Sequence, residues 1–269
     1  MTSAIRRFLE ENAGALTAAV SMTEARDYLL PGAKLPQGST VILAAVPYFC
    51  GNTEGEISKY ARGRDYHRVL RALFADAVVV CGAKEACLAN YADVSPFREV
   101  ALAAAAGLGE IGENGLLLTK RYGSYVFLGE ICGDFSGDVT HLREPSRCIC
   151  CGACRRACPT QGHGCLSEIT QRRGELTAEE EDLMRRCQTA WGCDICQDVC
   201  PANQTVEKTK LPAFCEELVY RFCADELSVL SNRAIERKYA DRAFIWRGGS
   251  VIKRNAAILR GSDADNVRS

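Results

Sequence analysis

Sixteen cysteines stand among the 269 residues, and twelve of them lie at or beyond Cys148. The run Cys148-x2-Cys151-x2-Cys154-x3-Cys158-Pro159 has the spacing that places three thiolates around one iron–sulfur cubane and sends the fourth to a neighbouring cluster. Downstream, Gly192-Cys193-x2-Cys196-x3-Cys200-Pro201 repeats that ending, and Cys165 lies between the two runs. Eight ligands then suffice for two [4Fe-4S] clusters. By the crossover of two-cluster ferredoxins, Cys148, Cys151, Cys154 and Cys200 hold one cluster, and Cys158, Cys165, Cys193 and Cys196 hold the other. Zinc is the competing metal, but its sites are usually built from two Cys pairs rather than a triple followed by Cys-Pro. A thioredoxin-like dithiol would need one isolated pair, which the tandem runs do not leave.

Cys150 and Cys187 fall outside the eight-ligand scheme and are read as packing or as thiols beside the clusters. Cys50, Cys81, Cys87, Cys132, Cys215 and Cys223 sit in apolar surroundings and are expected to be small buried hydrophobes. The 33 Lys and Arg against 34 Asp and Glu exclude a globally basic nucleic-acid binder as the default. The opening MTSAIRRFLEENAG has neither the apolar stretch nor the cleavage site of a secretory signal, so a reducing, cytoplasmic location is expected. No run reaches the ~18 apolar residues of a membrane span.

The elements that must hold these groups are read from pattern. Residues 1–142 alternate helix and strand: Ile5, Phe8, Leu9 and Leu16 have helical spacing, Val41 to Val46 and Ala77 to Cys81 read as buried strands, Ala101 to Ala106 as a helix stopped by Gly107, and Ser124 to Ile131 as a strand. Residues 143–204 form the cysteine-rich module, with a Glu-rich helix from Thr177 to Arg186. Residues 205–269 are helical in pattern, and their last stretch, 231–269, has nine Lys or Arg against four Asp or Glu. The fold class is therefore α+β with a helical C-terminal segment. Gly107, Gly109 and Gly112 match G-x-G-x-x-G, but a helix rather than a strand precedes them, which argues against a dinucleotide site.

As an ordered set, Tyr60 to Arg71, Tyr91-Ala-Asp93, Ala106 to Gly115, Tyr122-Gly-Ser124, Phe127-Leu-Gly-Glu130 and the tandem cysteine runs with Gly192-Cys-Asp-Ile-Cys-Gln197 resemble the epoxyqueuosine reductase family. The resemblance implies a nitroreductase-like corrinoid-binding domain followed by a two-cluster ferredoxin-like domain. It implies a cobalamin-dependent reductase that removes the epoxide oxygen of epoxyqueuosine in the tRNA anticodon stem-loop, fed by an external low-potential donor such as ferredoxin or flavodoxin. Asp93 falls on the family's proton donor, and a carboxyl near an apolar corrin face would favour its neutral form. Asp65, Tyr66, His67, Gly107, Gly109, Gly112, Asn114 and Ser124 fall on stretches assigned to cofactor contact, with turn, helix-start and core roles as the alternatives. The segment from Phe244 to Leu259 resembles the beginning of the helical HEAT-like region with which longer members continue.

Two departures bear on the substrate. Glu110 and Glu113 stand where the family usually has Trp and Lys, and Val94-Ser-Pro-Phe-Arg-Glu-Val100 replaces a Pro-Leu-Leu-Glu-Arg pattern. Two further readings stay open from the sequence: a two-cluster electron carrier with no chemistry of its own, and a corrinoid reductase acting on a small molecule. Basic stretches at Lys59 to Arg71 and at the C-terminus are candidate phosphate contacts, or simply solvated faces.

Overall fold

The computed structural model describes residues 1–266, so Arg268 of the basic C-terminal stretch and the last residues of the 205–269 segment lie outside the described residues. In chain order the first elements are α1 (Thr2–Ala13), β1 (Leu16–Ser21), α2 (Met22–Ala25), β2 (Thr40–Pro47), α3 (Lys59–Arg62), α4 (Tyr66–Val80), β3 (Cys87–Ala92), α5 (Glu99–Ala105), β4 (Glu110–Ile111), β5 (Leu117–Leu118) and β6 (Val126–Gly133). The remainder is helical: α6 (Ala153–Ala157), α7 (Leu166–Gln171), α8 (Ala178–Arg186), α9 (Ile195–Asp198), α10 (Pro212–Cys215), α11 (Ala224–Val229), α12 (Asn232–Lys238) and α13 (Gly249–Asn266). No described helix is long and apolar enough to cross a membrane.

The chain divides into two compact units, each assembled from separate stretches. The first comprises 1–50, 66–152 and 200–215, and the second 51–65, 153–199 and 216–269. Residues 1–142 thus contribute mainly to the first unit, yet lend 51–65 to the second, while the cysteine-rich stretch is shared, with 143–152 and 200–204 in the first.

The first unit is built on an antiparallel sheet ordered β1-β2-β6-β3. Ala18, Leu43, Glu130 and Tyr91 form one row across all four strands. Cross-strand partners share a face, and this face packs an apolar core of Val20, Val41, Leu43, Phe97, Leu102 and Cys132. On the opposite face, Gly129 lets α4 come close, since a Cβ there would meet the Phe74 ring and the Tyr91 carbonyl at 2.7 Å. Two expected elements change type. Val78-Val79-Val80 closes α4 rather than forming a strand, because Leu70, Phe74, Ala77 and Val78 are buried with helical spacing while Val79 and Val80 are exposed. Leu16 opens β1 instead of extending α1, which Gly14 ends in a left-handed cap at φ 64.

The second unit has its own core, centred on Ile57, Met184, Trp191, Phe222, Phe244 and Ile252. Helix α8 begins at a capping box in which Thr177 and Glu180 satisfy each other's backbone amides. Asn255, fully buried on α13, donates to the carbonyls of Thr170 and Ala190, both at 2.7 Å, and so ties α13 to the chain leading into Trp191-Gly192-Cys193.

Candidate active site

Asp93 follows the last residue of β3 and adopts the left-handed backbone conformation, φ 69. Its exposed carboxylate Oδ2 lies 3.2 Å from Nε2 of His67, in the first turn of α4. The ring of Tyr66 stacks on His67 at 4.0 Å and on Phe127 of β6 at 4.1 Å, nearly parallel to the latter. The fold thus brings together three residues that the sequence marks separately. The hydrogen bond from His67 holds the Asp93 carboxyl below the ordinary carboxylate value, with further help from Tyr66 and against the opposing effect of burial. The imidazole and phenol favour the anion more than partial burial disfavours it.

Apart from Gly107, the other sequence candidates are bound into the protein itself. Gly107 follows α5 with open space around it, whereas a Cβ on Gly109 would lie 2.5 Å from the Leu118 carbonyl across the β4–β5 hairpin. The side chain of Asn114 closes the same turn, accepting from the Leu116 amide and facing Gly112. Ser124 is buried, and the Asn203 side chain accepts its amide at 2.8 Å and donates to its hydroxyl at 2.9 Å. Asp65 gives its backbone N–H to the Asp241 carbonyl within the second unit.

Two buried or half-buried glutamates lie near Asp93. Glu130, in the Phe127-Leu-Gly-Glu130 stretch of β6, is 1% exposed. Glu99, the first residue of α5, feels the charges of Glu130 and Asp93. The detectable signal for Glu130 in sequence was a carboxyl set in a strand of Val, Phe, Leu and Ile. Among the substituted family positions, Glu113 accepts from the amide of Gly152 at 3.1 Å, inside the Cys151-Gly152-Ala153-Cys154 loop, while Glu110 is exposed on β4.

In the second unit, Cys193 lies within electrostatic reach of Cys165 and Cys196, and burial pushes its thiol up to about 12. Cys158 is held the other way: the Thr160 hydroxyl at 3.2 Å and the amides of Thr160, Gln161 and Gly162 favour its thiolate. Helices α6 and α9, which carry Cys154 and Cys196 within the two cysteine runs, pack on each other. Among the described residues no three His, Cys, Asp or Glu gather closely enough for one bare ion. Cys148, Cys151 and Cys200 belong to the first unit and Cys154 to the second. Cys150 is exposed and donates weakly to the Cys148 carbonyl. Of the six cysteines expected to be buried, Cys132 is, Cys50, Cys81, Cys87 and Cys215 are half-buried, and Cys223 is exposed at the start of α11.

An acid–imidazole pair at a sheet end, in a chain that also carries tandem thiol loops, belongs to an oxidoreductase of mixed α/β fold. A family model described as epoxyqueuosine reductase QueG, DUF1730, matches residues 29–86. An epoxyqueuosine reductase of Gloeobacter violaceus is 34% identical over 87% of this chain and 79% of its own length. The chain belongs to the epoxyqueuosine reductase family. Its fold is similar to that of the epoxyqueuosine reductase from Streptococcus thermophilus, with a TM-score of 0.79 and 24% identity over 96% of this chain and 80% of that one. A second structure, of an epoxyqueuosine reductase with an epoxyqueuosine-modified tRNA-Tyr stem loop, matches with a TM-score of 0.75 and 24% identity over 97% of this chain and 82% of that one.

Proposed function

We propose that this chain reduces epoxyqueuosine to queuosine in the anticodon stem-loop of tRNA, as a cytoplasmic enzyme with two [4Fe-4S] clusters and cobalamin. The observation that carries the reading is the His67–Asp93 pair in a member of this family. The eight-cysteine spacing supports the clusters, with Cys148, Cys151, Cys154 and Cys200 as one ligand set and Cys158, Cys165, Cys193 and Cys196 as the other. The donor chemistry fits. Cys158 already takes hydrogen bonds of the kind that stabilise a bound thiolate, and Cys165, Cys193 and Cys196 are neighbours.

For the corrinoid, the exposed Asp93 carboxylate with His67 and Tyr66 offers polar groups suited to the amide-bearing rim of such a macrocycle. Gly107, with open space beside its backbone, is a further candidate contact, and Gly109, Gly112, Asn114 and Ser124 would act by shaping the hairpin and turn around it. When bound, the corrinoid would supply the two-electron reduction that side chains cannot perform. His67 orients Asp93 and keeps it ionised at rest. Asp93 passes a proton to the oxygen leaving carbon, and Tyr66 braces His67 through ring contact. When bound by the two cysteine sets, the clusters would supply electrons one at a time, taken from an external low-potential donor.

The reading is tested by anaerobic reconstitution with iron, sulfide and cobalamin, gel filtration, cobalt electron paramagnetic resonance and assay on an epoxyqueuosine stem-loop RNA. Co-elution of corrinoid with RNA turnover is expected. A protein that fills its clusters but binds no corrinoid and leaves the RNA unchanged would overturn it.

A further inference from the structure

Glu130 occupies a place where a carboxylate is costly. It stands in the row of Ala18, Leu43 and Tyr91 on the apolar face of the sheet, and its Oε2 has no hydrogen-bond partner. The Ser95 hydroxyl is the one group that favours its charge. Glu99 likewise leaves Oε1 buried and unpartnered, and it feels both Glu130 and Asp93. The titratable groups facing the two carboxyls are Tyr91 on β3, Cys132 on β6 and Asp93 after β3, while Cys87 of β3 acts on Cys132, Leu43 of β2 brings no charge and His67 of α4 engages Asp93. No lysine or arginine among the described residues acts on either glutamate. Burial and mutual repulsion therefore keep the pair from ionising fully at neutral pH.

The geometry points to Glu99 and Glu130 as a proton reserve behind Asp93, holding a proton at rest and releasing it toward the substrate during turnover. This rests on the epoxide-reducing function proposed above. Converting an epoxide to an alkene breaks two C–O bonds, forms one C=C bond, takes up two electrons from the external donor and two protons, and releases one water. Asp93, ionised at rest, must be loaded, and a second proton must follow the first. The pair supplies one of the two and solvent the other, both delivered through Asp93, and solvent reloads the pair afterwards.

Infrared pH titration of the reconstituted enzyme reads the reserve directly. A protonated-carboxyl band is expected at pH 7, fading as the pH passes about 8 and absent from the Glu99→Gln, Glu130→Gln double variant. A wild-type enzyme without that band at pH 7 overturns the proposal. In single-turnover assays Glu99→Gln is expected to slow RNA reduction by about a hundredfold, with recovery on adding imidazolium buffer. A loss that added acid cannot restore marks a structural role and also overturns it. A wild-type enzyme inactive on the RNA sinks the functional reading, whereas turnover without the band sinks the reserve alone.

Discussion

Each unit buries a carboxylate-bearing side chain in its interior, and the two are treated oppositely. Asp194 in the second unit accepts from the Ser58 hydroxyl at 2.5 Å, the Lys59 amide at 2.7 Å and the Gln197 side chain at 3.1 Å, with the Lys59 ammonium at 3.7 Å. Glu130 in the first unit has one hydroxyl and an orphaned oxygen. The first arrangement spends the charge on structure: Asp194 ties the start of α3 to the loop between Cys193 and Cys196. The second leaves the charge unsatisfied, which natural cores avoid unless the group has another use. Satisfaction of a buried carboxyl therefore separates scaffolding from chemistry in this molecule.

The largest expected effect comes from the exposed partner of the unsatisfied group. Asp93→Asn keeps the backbone and the contact with His67 but removes the acid, and turnover should fall by about a thousandfold in single-turnover assays while cluster content stays normal. Turnover near that of wild type would remove Asp93 from the reaction. Next is the satisfied carboxyl: Asp194→Ala should cost about 3 kcal/mol in denaturant unfolding, because the Ser58 hydroxyl, the Lys59 amide and the Gln197 side chain all lose their acceptor, while the Lys59 ammonium keeps Asp198. A loss below about 1 kcal/mol would show that Asp194 is not the anchor its hydrogen bonds suggest.

A smaller effect sharpens the comparison through pH. Glu130 has a folded pKa raised above its unfolded one by burial, so the folded state binds the extra proton and stability falls as pH rises from the ordinary carboxylate range toward about 8. Asp93 has the opposite sign: its lowered pKa contributes stability that is complete above about 3.8 and is lost as the pH falls through the lowered value. Glu130→Gln should therefore flatten the melting-temperature profile between pH 5 and pH 8 and leave the acid limb in place. An unchanged slope over the upper range would mean that Glu130 is ionised throughout. The smallest effect belongs to Ser124→Ala, which removes one bond to Asn203 and should cost about 1 kcal/mol, read as a shift in unfolding midpoint.

Much of the fold was legible where pattern and packing agree. Val41 to Val46 is apolar at every position because β2 is buried on both faces, and Ala101 to Ala106 ended where Gly107 turns left-handed. The run Val78-Val79-Val80-Cys81 misled because β-branched residues favour strands, while the burial of Leu70, Phe74 and Ala77 had already committed that segment to a helix. The candidate site was legible as residues and not as partners. Tyr66, His67 and Asp93 were each marked, but their meeting depends on β6 standing between β2 and β3, a strand order no local pattern encodes. Ser124 was marked for a ligand and instead grips Asn203, three residues beyond Cys200, a pairing 79 residues apart in sequence.

The left-handed backbone at Asp93 has an evolutionary consequence. Few residues other than Gly, Asn and Asp accept that conformation cheaply. The position is thus filtered twice, once by the turn and once by the need for an acid, and Asp passes both most cheaply. Most single amino-acid changes there would be penalised before chemistry was ever tested, so drift at this site has few exits, and Asn is the neighbour by which the acid would be lost with the turn intact.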